Sequence, residues 1–581
     1  MRLHASLRPL LVSLALLALA GSLRAAHAQP AGPGARGDTL ASRVDSVFAA
    51  YTSRESPGCA VAAMRDGQIA LERGYGMANL EHDVPITPAS IFHVASISKQ
   101  FTAMSILLLE KDGKLSLDDP VRRYVPEVPD FGTPVTIRHL IHHTSGLRDQ
   151  WALLGLAGWR PDDPKSEADI LELVSRQTAL NFPPGSEYLY SNTGYTLLGT
   201  IVKRVSGKSL REFADERIFR PLGMTSTHFH DDHTMIVKGR TSAYEPRREG
   251  GGYRVSLPVF DNAGATSLFT TVRDLAQWDR NFDSATVGGR DMLARMETRG
   301  RLTNGDTLPY AFALTIGRYR GLRTMGHNGA DAGYRADFLR FPDHHFAVAT
   351  LCNVSTANPS ALGRKVADIF LGAEMAKLER AMSAVNPAAP KPAAAAAVTI
   401  AAAELARYAG AYIDTKTETL RRFLVRDGKL AVSAGGPATP LTPRRAGVFA
   451  MTGQPVTFHF HAAANGSGPA RMEERVEGAR PVIYEPVPPA SALAPTALAA
   501  YAGAFRSEEL GVEWTVAVRD TQLVLRRRKF EEQSLQPAFA DAFISPQLGL
   551  VRFTRGDGGR ITGFTLSAGR VRRMRFERAG A

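Results

Sequence analysis

A hydroxyl and an amine lie three residues apart at the start of an apolar stretch. They belong to Ser96 and Lys99, and apolar residues dominate the following segment, 101–109. This density predicts a buried helix that starts at or just before Ser96 and stops at Asp112-Gly113. Side chains at positions i and i+3 share one helix face, so the hydroxyl and the amine can meet.

This pair has a specific chemical use. Burial disfavours the charged form of a lysine, and a neutral lysine can activate a neighbouring hydroxyl as a nucleophile. The helix N-terminus adds positive potential that stabilises a developing oxyanion. The alternative is that Ser96 and Lys99 form a capped helix start without chemistry, because such four-residue patterns also occur by chance.

A second stretch places a tyrosine and an asparagine before an amphipathic helix. Pro183-Pro184-Gly185 predicts a turn, and Tyr190 and Asn192 precede apolar positions spaced through 197–205. A tyrosinate near a cationic lysine can act as a general base, and an amide can bond both substrate and lysine. The alternative is a tyrosine packed under the turn with Asn192 capping the helix.

The third stretch, 323–353, carries His327 and Gly329 and predicts two antiparallel strands separated by a Pro-Asp turn. Gly329 would let a substrate backbone approach the strand, and His327 would project into a cleft. The alternative for His327 is a surface or hydrogen-bonded structural role.

Together these stretches resemble the penicillin-recognising serine hydrolases. The similarity is greatest to the class C β-lactamase-related branch with its D-alanyl-D-alanine carboxypeptidases, esterases and D-aminopeptidases, and it extends over about 38–375. The resemblance implies an α/β sandwich, in which an antiparallel sheet is flanked by helices. Three motifs carry it in this order: Ser96-Ile97-Ser98-Lys99, Tyr190-Ser191-Asn192 and His327-Asn328-Gly329.

The resemblance also implies roles. Ser96 would be the acylated nucleophile, with Lys99 and Tyr190 as the proton-transfer pair. Asn192 would position the substrate, and the backbone N–H groups of Ser96 and Ala330 would form the oxyanion hole. No cofactor is implied.

Many relatives have a carboxylate-binding lysine where this chain has His327. A neutral imidazole cannot hold a carboxylate as an ammonium does. We therefore expect β-lactamase activity to be weak or absent.

The first 28 residues predict a secretory signal peptide. Arg2 and Arg8 precede a leucine-rich core, and Ala26-His27-Ala28 has the form of a cleavage site. We therefore expect a periplasmic or secreted protein. Cys59 and Cys352 lie in apolar stretches and are most simply read as buried small hydrophobes, although export leaves a single disulfide open.

A basic chain invites nucleic acid as a partner, but the distribution of the charge and the predicted export argue against it. The net charge is +13, and the residues from 401 to 581 hold 25 Lys and Arg against 17 Asp and Glu, so the excess lies outside the chemical site. The tracts 526–529 and 570–578 are expected to be solvated strand faces or contacts with an anionic envelope surface. Two histidine-rich segments, 139–143 and 228–233, are expected to bond turns rather than a metal, so no metal is predicted.

The chain divides into five segments. These are a signal peptide (1–28), a hydrolase domain (29–380), a Pro/Ala-rich linker (381–400) and two small antiparallel β-barrels (401–488 and 495–581). The Tyr-x-Gly-x-aromatic openings of the barrels resemble the lipocalin-like modules that follow the catalytic domain in some relatives. A repeat in which Tyr408-Ala409-Gly410 recurs at Tyr501-Ala502-Gly503 indicates two copies of one module. Short alternating strands separated by Gly, Pro and Asp predict that each copy is a small barrel, and the linker predicts a boundary that few contacts cross.

The function expected from these observations is that of an exported serine hydrolase with a small-molecule or peptide substrate. D-amino-acid peptides or amides are the first candidate substrates, because the architecture resembles that of D-aminopeptidases. A carboxylesterase is the enzymatic alternative. From another class, the chain can be an envelope binding or sensor protein that acylates without turnover. The sequence leaves the oligomeric state open.

Overall fold

The computed structural model describes residues 39–385, 398, 400–434, 437–451, 454, 456–463, 469–476, 480–488 and 494–580. The predicted signal peptide and most of the predicted linker lie outside the described residues. Within the described residues, no helix is both long and apolar enough to span a membrane.

Residues 39–385 form the N-terminal domain. Its strands are β1 (Cys59–Arg65), β2 (Gln68–Tyr75), β3 (Met77–Asn79), β4 (Val84–Pro85), β5 (Phe92–His93), β6 (Lys165–Ser166), β7 (His228–Phe229), β8 (Tyr244–Pro246), β9 (Tyr253–Val255), β10 (Phe260–Asp261), β11 (Leu268–Thr270), β12 (Thr315–Tyr319), β13 (Leu322–Asp331), β14 (Tyr334–Phe341) and β15 (Phe346–Cys352). Its helices are α1 (Leu40–Val47), α2 (Ser98–Lys111), α3 (Ile137–Ile141), α4 (Gln150–Leu156), α5 (Glu167–Ser175), α6 (Asn192–Ser206), α7 (Leu210–Ala214), α8 (Arg220–Leu222), α9 (Val272–Ser284), α10 (Arg290–Met296) and α11 (Pro359–Val385).

The main sheet of this domain is antiparallel, with the strand order β12-β13-β14-β15-β1-β2. Both of its faces are buried. On β1, alternate side chains such as Val61 pack with α1 and α11, while those between them, such as Ala62, join the core that contains α2. This arrangement confirms the expected α/β sandwich.

The chain between Leu322 and Cys352 forms three strands rather than the two that the sequence predicted. It reverses between β13 and β14, where Ala332 takes a positive φ of 45°. Gly333 follows, and a Cβ at this position would lie 2.4 Å from the backbone nitrogen of Tyr244. The turn therefore depends on a tertiary approach that strand periodicity does not reveal.

The two cysteines form a disulfide that joins β1 to β15. Cys59 and Cys352 are directly opposite each other in the strand register and are bonded. The simplest sequence interpretation, two separate buried thiols, is therefore wrong. Apolar flanks predicted burial correctly but could not predict that the two residues would be cross-strand neighbours.

Two closed eight-stranded barrels follow, as predicted. Barrel 1 contains α12 (Ala402–Tyr408) and the strands β16 (Gly410–Asp414), β17 (Thr419–Arg426), β18 (Lys429–Ser433), β19 (Thr439–Arg445), β20 (Val448–Met451), β21 (Val456–Ala462), β22 (Pro469–Val476) and β23 (Val482–Val487). Barrel 2 contains α13 (Pro495–Leu498) and the strands β24 (Gly503–Ser507), β25 (Val512–Arg519), β26 (Gln522–Arg526), β27 (Gln533–Phe539), β28 (Ala542–Ser545), β29 (Gly549–Arg555), β30 (Ile561–Ala568) and β31 (Val571–Arg578).

The boundary between the N-terminal domain and the barrels differs from the prediction. Helix α11 continues to Val385, which lies inside the range predicted as linker. The expectation that few contacts cross is also wrong for barrel 2, whose buried residues join the same hydrophobic cluster as those of the N-terminal domain. A buried ion pair, Arg148 with Glu509, crosses this boundary.

The basic tracts of barrel 2 are partly an internal interface rather than wholly solvated strand faces. Arg527 is buried, and its guanidinium donates a hydrogen bond to the carbonyl of Gly155 at 3.1 Å. Arg572 is also buried and pairs with Glu187 at 3.1 Å. The sequence shows the charge of these arginines but not the face that docks against the N-terminal domain.

Candidate active site

Ser96 lies in a 3-10 turn, Ala95–Ile97, that runs directly into α2. The α-helix proper therefore begins two residues after Ser96, close to the predicted start. Strand β13 packs against this turn, and a Cβ at Gly329 would lie 2.2 Å from the carbonyl oxygen of Val94. Gly329 thus allows the strand to approach the turn that carries Ser96. Gly329 was predicted to let a substrate backbone approach the strand, and the structure shows that it also allows this contact within the chain.

Lys99 is fully buried beneath Ser96. Its Nζ lies 3.1 Å from Ser96 Oγ, 2.9 Å from Asn192 Oδ1 and 2.6 Å from the carbonyl oxygen of Ala265. A neutral amine has two protons and one lone pair. It can donate to the amide and carbonyl oxygens, which accept only, and use its lone pair to accept the Ser96 hydroxyl proton. The geometry therefore suits a base directed at Ser96.

Electrostatics favour this neutral form. Burial lowers the pKa of Lys99 to about 7, with the Arg570 charge acting in the same direction and the carboxylates of Asp149 and Asp331 opposing it. An ordinary lysine keeps its proton well above neutral pH. A base whose pKa lies near the working pH is the most effective proton acceptor.

Asn192 is held in place by Asp149. The backbone N–H and the side-chain amide of Asn192 both donate to Asp149 Oδ2 at 2.8 Å. Since the carboxylate accepts only, it fixes the amide so that Oδ1 points to Lys99. Asp149 itself begins α4 as its N-cap. Its carboxylate is therefore a positioning group for the site.

Tyr190 completes the cluster. Lys99 Nζ lies 4.9 Å from the centre of its ring. The hydroxyl oxygen is buried and has no hydrogen-bond partner among the described residues. Burial raises the pKa of Tyr190 strongly, while the nearby Ser96 hydroxyl opposes the shift. Tyr190 is then a neutral phenol near pH 7, which favours it as a proton donor and disfavours the tyrosinate base considered from the sequence.

His327 lies on β13 and is a neutral imidazole. Its Nδ1 lies 2.6 Å from the carbonyl oxygen of Asn328, so Nδ1 donates and Nε2 is left to accept from the Tyr310 hydroxyl at 3.0 Å. Burial, with the charge of Lys99, lowers the pKa of His327 to about 4. His327 therefore contributes no positive charge to the cleft at neutral pH.

A cavity of about 1100 Å³ brings the predicted residues together. Its lining includes five of them, Ser96, Tyr190, Asn192, His327 and Ala330. Lys99 lies beneath this surface, bonded to Ser96 and Asn192. Residues of barrel 2 line the same cavity, among them Arg527, Phe530 and Arg570.

Four contributors to the site were not identified from the sequence. These are the carboxylate of Asp149, the carbonyl of Ala265, the hydroxyl of Tyr310 and the guanidinium of Arg570. Asp149 lies two residues after the stretch 142–147, which is similar to the family's, and that proximity was the available signal. Ala265 lies in the stretch 264–278, which is also similar to the family's, whereas Tyr310 and Arg570 come from parts of the chain without a motif.

The histidine-rich segments make local contacts. The His139 ring accepts a hydrogen bond from the backbone of Thr136 and closes a capping box at α3. His143 Nδ1 accepts from the backbone N–H of Ser191 at 3.1 Å and so supports the Tyr190 loop. His233 lies 2.8 Å from a carboxylate oxygen of Asp261.

Comparison with known proteins fits this geometry. The family model described as Beta-lactamase matches residues 44–373, which is more than half of the chain. The chain belongs to the beta-lactamase family. This places the fold and the three motifs within a group of serine hydrolases.

Relatives and solved structures agree. The chain is 29% identical over 321 residues to a D-aminopeptidase of Gluconobacter oxydans (strain 621H), a match that covers 55% of this chain and 60% of that protein. It is 31% identical over 309 residues to a penicillin-binding protein of Bacillus subtilis (strain 168), covering 50% and 67%. The structure of an octameric penicillin-binding protein homologue from Pyrococcus abyssi matches with a TM-score of 0.51 at 25% identity, covering 77% of this chain and 99% of that chain. The chain thus spans less than two thirds of the length of the D-aminopeptidase.

Proposed function

We propose that this protein is an exported serine hydrolase that acts through a Ser96 acyl-enzyme, with D-amino-acid-containing peptides or amides as substrates. The observation that carries the proposal is the buried Lys99, whose Nζ lies 3.1 Å from Ser96 Oγ and whose pKa is lowered to about 7. Such a base can accept the serine proton near neutral pH.

The reaction has two halves. Neutral Lys99 takes the proton of Ser96 while Oγ attacks the substrate carbonyl carbon. The backbone N–H groups of Ser96 and Ala330 stabilise the oxyanion. Tyr190 donates its proton to the leaving nitrogen as the C–N bond breaks, and regains a proton from Lys99. A water molecule then attacks the ester carbonyl carbon and gives a proton to Lys99, and this proton passes to Ser96 Oγ as the ester bond breaks.

The substrate preference draws on two observations. The first is the similarity to a D-aminopeptidase, a name that refers to removal of an N-terminal D-residue. The second is Asp331, which lines the cavity next to Ala330 and whose side chain is 27% exposed. Its Oδ2 accepts from Thr266 at 3.2 Å. The carboxylate can take the ammonium of a substrate whose carbonyl lies at Ala330.

Export is supported by the signal-like sequence at 1–28 and by the disulfide between Cys59 and Cys352. Disulfides persist in oxidising compartments such as the periplasm.

A carboxylesterase is the second candidate. Neutral His327 offers a substrate no cation at the position where many relatives have a lysine. Uncharged esters need no such cation.

The deciding experiment combines labelling and turnover. We expect a fluorophosphonate to label wild type and Ser145→Ala at Ser96, and to leave Ser96→Ala unlabelled, as intact mass and peptide mapping would show. Turnover is then compared for D-alanine anilide, L-alanine anilide and a short-chain nitrophenyl ester. Preference for the D-anilide supports the peptidase, and preference for the ester supports the esterase. Labelling without turnover of any substrate supports the binding or sensor protein, and labelling at another serine refutes the mechanism.

A further inference from the structure

A hairpin of barrel 2 reaches into the cleft. Strands β30 and β31 pair up to Ala568 and Val571, so Gly569 and Arg570 form a two-residue turn, with Gly569 at a positive φ of 58°. The N-terminal domain holds this turn in place, because the side chain of Asn181 donates to the carbonyl oxygen of Arg570 at 2.8 Å. The position of Arg570 is therefore set by the docked barrel.

The guanidinium of Arg570 lies over Tyr190. Its central carbon is 4.8 Å from the centre of the Tyr190 ring, and Nη1 is 3.5 Å from Asp149 Oδ2. That carboxylate oxygen already accepts two shorter hydrogen bonds from Asn192. Among the described residues, Arg570 forms no other ion pair, and its side chain is 44% exposed. The guanidinium of Arg570 therefore has positive charge and N–H donors available to bind a ligand in the cleft.

The proposed mechanism indicates which part of a substrate lies next to the Arg570 guanidinium. Tyr190 donates the proton to the leaving nitrogen, so that nitrogen must come within hydrogen-bond reach of the phenol. A cation stacked on the Tyr190 ring is therefore on the leaving-group side of the scissile bond. In a leaving amino acid, the carboxylate is separated from that nitrogen by a single carbon atom.

We propose that Arg570 binds the carboxylate of the leaving amino acid and so selects peptides that end one residue beyond the scissile bond. This rests on the proposed function of Ser96, Lys99 and Tyr190. The reaction is hydrolysis: the acyl group passes to Ser96, the leaving amino acid departs with the Tyr190 proton, and water releases the acyl group. Because His327 is uncharged, the selecting cation comes from barrel 2 rather than from strand β13.

A matched pair of substrates tests the proposal on the full-length protein. D-Alanyl-D-alanine and its C-terminal amide differ in one carboxylate. We expect wild type to prefer the free acid in kcat/KM. Arg570→Gln should lower kcat/KM for the acid by about ten- to a hundredfold, the scale of one charge-assisted hydrogen bond, and change the amide by less than about threefold. Arg560→Gln removes an exposed arginine of barrel 2 that is not among the cavity residues, and should change neither.

Other outcomes would overturn the proposal. Arg570 also lowers the pKa of Lys99. Its loss can therefore shift the pH profile, but that shift would affect the acid and the amide alike. An equal loss of kcat/KM for both substrates in Arg570→Gln would show that Arg570 acts through the position of the hairpin or through the pKa of Lys99. Equal kcat/KM of wild type for acid and amide would also refute the selection.

Binding separates this proposal from the proposed function. Ser96→Ala cannot be acylated, and calorimetry on it measures affinity without turnover. We expect the acid to bind more tightly than the amide, with the difference abolished by adding Arg570→Gln. If wild type turns over neither these peptides nor the anilides and the ester but this difference is found, the hydrolase proposal fails and the carboxylate site stands. If acid and amide bind equally, the carboxylate site fails whatever the turnover.

Discussion

The ion pair between Arg148 and Glu509 should control how firmly barrel 2 docks. The two side chains are 2% and 5% exposed. Arg148 also donates to Gln177 Oε1 at 2.9 Å, and the backbone N–H of Thr178 donates to the Glu509 carboxylate at 3.0 Å. Burial lowers the pKa of Arg148, and Glu509 counteracts that effect. The carboxylate is therefore the group that makes this buried cation tolerable.

Glu509→Gln keeps the shape of the side chain and removes its charge. Arg148 is then left as a buried cation without a counterion, which costs about 3–5 kcal/mol. If barrel 2 undocks to relieve this cost, the docking equilibrium changes by roughly a hundred- to a few thousandfold. The undocked barrel also withdraws Arg570 from the cleft. Loss of selection for the free acid should therefore accompany the loss of stability.

Urea unfolding followed by tryptophan fluorescence measures the free-energy change, and limited proteolysis reports release of the barrel. Glu508→Gln is the matched control, because its pair with Arg506 is 76% and 63% exposed and should contribute at most about 1 kcal/mol. Replacing both buried partners, Arg148→Met with Glu509→Leu, should restore most of the stability. The reasoning is refuted if Glu509→Gln is as stable as Glu508→Gln, or if the double variant is no better than Glu509→Gln.

Three further predictions concern the site and the disulfide. Lys99 must be neutral to accept the Ser96 proton, and its pKa is about 7. The kcat/KM for a nitrophenyl ester should therefore fall about tenfold per pH unit below pH 7 and level off above it. A flat profile from about pH 5.5 to 8.5 would contradict this. Tyr190→Phe should lower anilide hydrolysis by roughly a hundredfold or more and nitrophenyl ester hydrolysis far less, since nitrophenolate leaves without a proton; equal losses would argue against a proton-donor role. The Cys59–Cys352 disulfide closes a loop across 293 positions, so replacing both cysteines with alanine should cost about 2–5 kcal/mol, measured by urea unfolding without reductant; unchanged stability would refute this.

Much of the N-terminal domain could be predicted from its sequence because the relevant signals are local. Ser96 and Lys99 are three positions apart, so helix geometry alone brings them together. Tyr190 and Asn192 were predicted to precede an amphipathic helix, and α6 begins at Asn192 itself, within one residue of that prediction. His327 lies on a strand that alternation revealed. The resemblance to a family then supplied what no local pattern contains, namely that these stretches share one cleft.

The remaining parts depend on contacts between distant segments. Arg570 and Asp149 are 421 positions apart, and nothing in the composition of either segment indicates that they meet. Cys59 and Cys352 were predicted as buried, but pairing requires the strand order of the sheet. The basic tract after Arg570 was expected on a solvated face, because strand alternation distinguishes two faces without telling which one docks. Sequence therefore predicted the elements better than their partners.

Barrel 2 is built into the cleft rather than added beside it. Residues 495–581 hold 14 Lys and Arg against 9 Asp and Glu. Some of these arginines pair with carboxylates of the N-terminal domain, as Arg572 does with Glu187. A positive charge that appeared peripheral in the sequence therefore lies against the site. Since the third motif supplies a neutral His327, the charge available to a substrate on the leaving-group side comes from the docked hairpin. Substrate selection and domain docking then depend on the same contacts, so a change at the interface should alter specificity before it alters the chemistry of Ser96.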